Sequence, residues 1–114
     1  MVESVPETLE ALADPTRRGI VERLALGPAT VTQLVEGTDL SQPTVSAHIK
    51  VLERAGLVSR TRVAQTRPCH LEPAGFRALD RWLQDLAAVY AANYARLDRL
   101  LEDLQSPEEE EPRR

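Results

Sequence analysis

LSQPTVSAHIKVLERAGLV, residues 40–58, is the stretch whose reading decides the fold. Ser41 stands where a helix N-cap belongs, because its hydroxyl can take an otherwise orphaned backbone N–H, and Pro43 is tolerated in the first turn. Val45, Ile49 and Leu52 follow at i, i+4 and i+7, so they share one face and turn toward a core. Gln42, Thr44, Ser46 and Lys50 are left outside. Gly56 ends the helix and Leu57-Val58 opens a strand. The segment predicts a short helix with a polar, basic outer face, joined to a strand by one glycine turn.

Downstream, Leu57 to Leu71 predicts a hairpin with its tip near Val63 to Thr66, although Ala64 supplies no turn chemistry. Arg60, Arg62 and Arg67 alternate along it, and Pro68 marks its second strand as an edge. Upstream, a first helix covers roughly Pro6 to Leu12, with Leu9 and Leu12 on one side and Val5 ahead of them. Asp14-Pro15 restarts the chain as N-cap and first helical residue. The stripe Ile20, Val21 and Leu24 then ends at Gly27-Pro28. Thr30 and Gln33 have capping-box spacing and open a short helix carrying Val31, Leu34 and Val35, closed by Gly37. From Pro73 a long helix runs to about Leu104, on the order of 45 Å at the usual rise. The expected order is α-α-α-α-β-β-α, mainly α with one small β-hairpin. A groove-sized helix feeding a basic hairpin is the arrangement of a winged helix-turn-helix.

The chain has 114 residues, enough for one domain, expected over 1–105 with the long helix included. Residues 106–114 carry Glu108 to Glu111 between two prolines and no apolar residue, which predicts a disordered acidic tail. The net charge of −4 argues against a nucleic-acid partner only until that tail is set aside. From Ser41 to His70 the basic residues are Lys50, Arg54, Arg60, Arg62 and Arg67, against the single acid Glu53. Phosphate responds to the local field, so this segment outweighs the whole-chain charge. No apolar run is long enough for a membrane span, and the first ten residues lack the pattern of a signal peptide. One cysteine, Cys69, excludes an intramolecular disulfide and fits a reducing cytoplasm.

The last helix repeats Leu83, Leu86, Tyr90, Tyr94, Leu97, Leu101 and Leu104 at near-heptad steps, with Trp82, Val89 and Leu100 widening the stripe. Such a seam either covers the body of its own subunit or receives another helix. A helix this long outreaches a small domain, which favours a second copy across a two-fold axis. Asn93 is a candidate for a register-setting polar residue inside that seam.

Three stretches in this order, ALADPTRRGIVERL (11–24), SQPTVSAHIKVLERAGLV (41–58) and LEPAGFRALDRWL (71–83), resemble the ArsR family of bacterial winged helix-turn-helix repressors. The likeness spans about residues 8 to 104 and is nearest to a subgroup without an evident metal site. It implies a homodimer paired through first and last helices, placing Leu9, Leu12, Trp82, Leu83, Leu86, Tyr90, Tyr94 and Leu97 at the interface. It also implies double-stranded DNA as partner, read as a palindromic operator.

On that resemblance, Gln42 and Thr44 read bases at the start of the recognition helix, where Gln can bond adenine twice. Ser41 either joins them or serves only as a cap. Ser46 contacts phosphate or base and Lys50 phosphate. His48 has two readings: a donor to phosphate, or a half-buried residue ordering the turn before the wing. Arg60, Arg62, Gln65 and Arg67 either form the wing contacts, for which a narrow minor groove is the natural target, or lie on a solvated strand face. Metal-sensing relatives use cysteines at the first turn helix or Asp and His on the last helix. Here the first place reads Ala29 to Gln33 without cysteine, and the last helix has no histidine. Neighbouring strand residues Cys69 and His70 point to opposite faces and cannot complete a zinc site. No metal or other cofactor is expected, and Cys69 reads as a small apolar residue on the inner face of the wing. The absence of a phosphate-binding glycine loop or an embedded nucleophile argues against an enzyme. The acidic total charge and the weak Ala64 turn leave one other reading open: a winged-helix interaction module with DNA binding weak or lost. The effector, small molecule or ion, is not legible.

Overall fold

The structure is a computed structural model describing residues 5–110, with side chains to residue 105. The elements are α1 (Val5–Ala13), α2 (Pro15–Leu24), α3 (Val31–Glu36), α4 (Gln42–Arg54), β1 (Val58–Arg60), β2 (Cys69–Leu71) and α5 (Pro73–Glu110). This is the order expected from the sequence. α5 continues six residues past the expected end near 104; of the acidic tail, residues 111–114 lie outside the described residues. The chain divides into two compact units between Asp80 and Arg81, inside the span expected as one domain. No described helix is long and apolar enough to cross a membrane.

The first unit is built on local signals that the caps satisfy. The Asp14 carboxylate accepts from the Arg17 amide at 3.0 Å and Pro15 follows as the first residue of α2. Thr30 and Gln33 form the capping box of α3 in both directions, at 3.1 and 2.8 Å. α4 ends in a Schellman arrangement: Leu57 N–H donates to Leu52 O, Gly56 N–H to Glu53 O, and Gly56 takes φ +80°. That turn is also a crossing point. A Cβ on Gly75, in the first turn of α5, would collide with the Gly56 carbonyl, so the two glycines let backbone approach backbone.

Val45, Ile49 and Leu52 of α4 are buried together with Ile20, Leu24, Leu34, Leu57, Val58 and Cys69. Each side chain of this size contributes about 1.5–3 kcal/mol on leaving water. In α1 the buried face is Val5, Thr8 and Ala11, while Leu9 is exposed and Leu12 only partly buried against the core. Thr8 goes inside because its hydroxyl reaches the Ala55 carbonyl at the end of α4, which leaves the Leu9 side of the helix outside this core.

β1 and β2 pair antiparallel, Ser59 opposite His70 and Arg60 opposite Cys69. Val63 and Thr66 bridge the tip, with Ala64 at φ +57°. A positive φ at the first central residue alone is the pattern of a II′ turn, where glycine is the usual occupant. The strand after Pro68 is not an edge at Cys69. Ala29 bonds the other side of that residue, with N···O distances of 3.1 and 2.7 Å, so Cys69 sits between two backbone partners.

In the second unit, α5 presents Leu83, Leu86, Val89, Tyr90, Tyr94, Leu97, Leu100, Leu101 and Leu104 to solvent, each between 47 and 66% exposed. Trp82 is half-buried. Tyr90 and Tyr94, one turn apart, stack with ring centres 5.6 Å apart.

Candidate nucleic-acid interface

The outer face of α4 carries the residues expected there, but their side chains are not equally free. The Ser41 hydroxyl accepts from the Thr44 amide and donates to the Thr44 hydroxyl at 2.9 Å. This pair spends much of its bonding capacity on capping, as the alternative reading of Ser41 required. Gln42 and Lys50 are exposed, Ser46 half-buried. Among the described residues the side chains of Gln42, Lys50, Arg62, Gln65 and Arg67 have no hydrogen-bond or ion-pair partner. Unpaired polar groups on a shared surface are available to a polyanion without breaking anything first.

Several of these groups converge. An open cleft of about 490 Å³ lies between the start of α3 (Thr30, Thr32), α4 (Gln42, Ser46) and the wing (Arg60, Gln65, Thr66, Arg67). Thr30, Thr32 and Thr66 were not expected as site residues. The capping box located Thr30 at a helix start, but nothing local could show that this start faces the wing. Lys50 and Arg62 do not line the cleft.

Arg60 is held differently from the other wing arginines. Its Nε lies 3.6 Å from Glu53 Oε2, too long for a hydrogen bond, and this nitrogen is buried without another partner. The ion pair ties the base of the wing to the last turn of α4. Arg60 thus lines the cleft as an anchored, half-buried cation, whereas Arg62 and Arg67 are exposed.

His48 is half-buried, and the contact it makes is with the α1–α2 junction instead of the turn before the wing. Its Nδ1 lies 3.3 Å from Arg17 Nη1. Guanidinium can only donate, so Nδ1 accepts and the ring proton sits on Nε2. Arg17 also donates from Nε to Ala11 O at 2.7 Å and from Nη2 to Glu10 O at 3.3 Å. One side chain therefore closes the last turn of α1, where carbonyls lack helical partners, and fixes an imidazole on α4. The Arg17 amide, with the burial of the group opposing it, holds the Asp14 carboxyl below its ordinary 3.8. Arg17 was missed by the sequence reading because the motif around it shows only the local cap.

Cys69 is fully buried and His70 points the other way. Burial raises the Cys69 thiol pKa, keeping it protonated and unreactive. His70 Nε2 lies 2.8 Å from Thr61 Oγ1 and 3.1 Å from Ser59 Oγ, while the Ser59 hydroxyl lies 2.7 Å from Glu72 Oε2. These bonds stiffen the outer face of the hairpin. Among the described residues no three His, Cys, Asp or Glu side chains converge as a metal site would require.

With this geometry in place, comparison with known proteins is direct. Residues 14–60 match the bacterial regulatory protein, arsR family. The chain is 43% identical over 88 residues to the HTH-type transcriptional regulator Rv2034 of Mycobacterium tuberculosis (strain ATCC 25618 / H37Rv), covering 77% of this chain and 82% of that protein. The crystal structure of the ArsR family transcriptional regulator RHA00566 superposes with a TM-score of 0.71 at 34% identity, covering 77% of this chain and 97% of that one. The homodimeric winged helix-turn-helix DNA-binding domain of Mb0332 from Mycobacterium bovis, a solution structure, gives 0.62 at 25% identity over 76% and 81%.

Proposed function

The chain belongs to the arsR family of bacterial regulatory proteins, and on that premise we propose that it is a dimeric repressor of transcription that occupies a palindromic operator in the cytoplasm. The observation that carries this reading is the cleft where the unpaired Gln42, Gln65 and Arg67 meet the anchored Arg60. A groove edge entering there meets amide donors and acceptors from α4 and cations from the wing together. Gln42 reads a base; Lys50, Arg62 and Arg67 take phosphates or the adjacent minor groove. His48 offers its Nε2–H to a phosphate, with its ring oriented by Arg17. Ser41 and Thr44 set the helix start and contact DNA only through what their mutual bond leaves free.

Two recognition helices need a fixed separation to match two half-sites. The exposed seam of α5, led by Leu83, Leu86, Tyr90, Tyr94 and Leu97 with Trp82, supplies apolar surface for that pairing, and α1 contributes the exposed Leu9 and the partly buried Leu12. That the Mb0332 domain is a homodimer supports a dimer here as well. Blocking polymerase requires no chemistry, so the reading has no catalytic residue.

Fluorescence anisotropy with DNA from beside the protein's own gene tests it. Arg62→Ala should weaken binding to every sequence and lower the salt slope by about one phosphate's worth. Gln42→Ala should relax preference at one base pair, by about 1–3 kcal/mol. Charged residues at Leu86 and Tyr90 should give monomers by light scattering and remove operator binding. Wild-type protein that ignores this DNA at low salt would sink the repressor reading.

A further inference from the structure

We propose that the first unit holds a binding pocket for a small zwitterion with an apolar body, of the kind an apolar amino acid presents. The pocket is a cavity of about 550 Å³ between α2, α3 and the turn that leads into α4. That volume lies within the range of small-molecule sites, roughly 300–1,000 Å³. Its floor is apolar, formed by Ile20, Leu34, Leu40 and Val45, which also join the three helices to one another. Its rim is polar, with Thr16 and the Gln33 amide nitrogen left for neutral hydrogen bonds, while the Thr38 hydroxyl is held by Val35 O and Leu40 N–H.

A second, independent feature points to the same space. Gly19 lies in the interior of α2, where glycine is the poorest helix former after proline. Neither backbone nor packing calls for it. Its φ is not positive, and a Cβ built on it meets no atom within 4 Å. What the missing side chain leaves open is the cavity that Gly19 lines.

The rim also specifies charge. Arg23 gives one guanidinium nitrogen to Gly27 O at 3.1 Å and has no carboxylate partner among the described residues. Asp39, on the same rim, has no hydrogen-bond or ion-pair partner among them. A ligand carboxylate on Arg23 and a ligand ammonium on Asp39 answer both charges, while the apolar body covers the floor. Leu40 and Val45 flank the Ser41 cap of α4, so an occupant there biases the placement of the recognition helix start. Only this last consequence rests on the repressor reading; occupancy of the pocket does not.

Calorimetric titration of the full chain, without DNA, separates the two. The probes are L-phenylalanine, 3-phenylpropanoate and phenethylamine, which share a ring and differ in charge. L-phenylalanine is expected to bind, and each singly charged analogue about tenfold or more weakly, as loss of a charged hydrogen bond implies. Gly19→Leu should abolish binding while keeping or raising the melting temperature, because leucine favours the helix and fills the mouth. Arg23→Gln should bring L-phenylalanine down to the level of phenethylamine. The proposal is overturned by no heat from any probe at millimolar concentration, by equal binding of one analogue, or by binding that Gly19→Leu leaves intact. A ligand-dependent change in operator affinity then reports the coupling separately.

Discussion

Arg17 is where the structure makes its most quantitative demand. Replacing it with Met keeps the stem of the side chain and deletes the guanidinium, removing the bonds to Ala11 O, Glu10 O and His48 Nδ1 together. The 2.7 Å bond has full charge-assisted strength, about 1.5–2 kcal/mol net for a half-buried donor, and the two at 3.3 Å contribute about 0.5 kcal/mol each. Arg17→Met should therefore cost about 2.5–3 kcal/mol. His48→Ala loses one long bond and some packing, about 0.5–1 kcal/mol. The two residues lie 31 positions apart in sequence and are joined by this hydrogen bond. In a double-mutant cycle the costs should fall short of additivity by about 0.5 kcal/mol, because the second substitution finds the shared bond already gone. The assay is urea unfolding at one fixed protein concentration, since a dimer's apparent stability moves with concentration. A loss below about 0.5 kcal/mol for Arg17→Met, or strictly additive costs, would refute the role of Arg17 as the clasp between α1 and α4.

Gly75→Ala should destabilise by about 1–3 kcal/mol in the same assay, since its Cβ meets a backbone carbonyl that cannot rotate away. Cys69 should react with a thiol reagent only as fast as the protein opens, because burial keeps the thiol protonated and covered; rapid labelling of the native protein would contradict its placement. Asp14 has its pKa lowered in the folded state by the Arg17 amide, so its contribution is complete above the unfolded value near 3.8 and is lost as pH falls below it. Asp14→Asn should flatten that part of the acid limb of a stability–pH profile and leave the neutral region's shape unchanged.

Element order was legible because its signals act within a turn or two of chain. Ser41, Thr30 and Asp14 announce helix starts through bonds to residues three positions on, and Gly56 announces an end through its positive φ. α1 was harder. Its apolar residues suggested one face, but the buried Thr8 depends on a carbonyl 47 residues away. The edge reading of the strand after Pro68 failed for a similar reason, because its second partner, Ala29, comes from before α3.

The candidate site divides along the same line. From the sequence by itself came the inner face of α4, and hence Gln42, Thr44, Ser46 and Lys50 as its outer face, because helical periodicity assigns faces without reference to a partner. Local charge likewise placed the arginines on a wing. Only the tertiary structure decided which of these groups are free. It engaged Ser41 with Thr44, anchored Arg60 on Glu53, turned His48 toward Arg17, and gathered Gln42, Gln65 and Arg67 around one cleft. Those outcomes depend on distances between elements, and such distances are set by how the shared core packs.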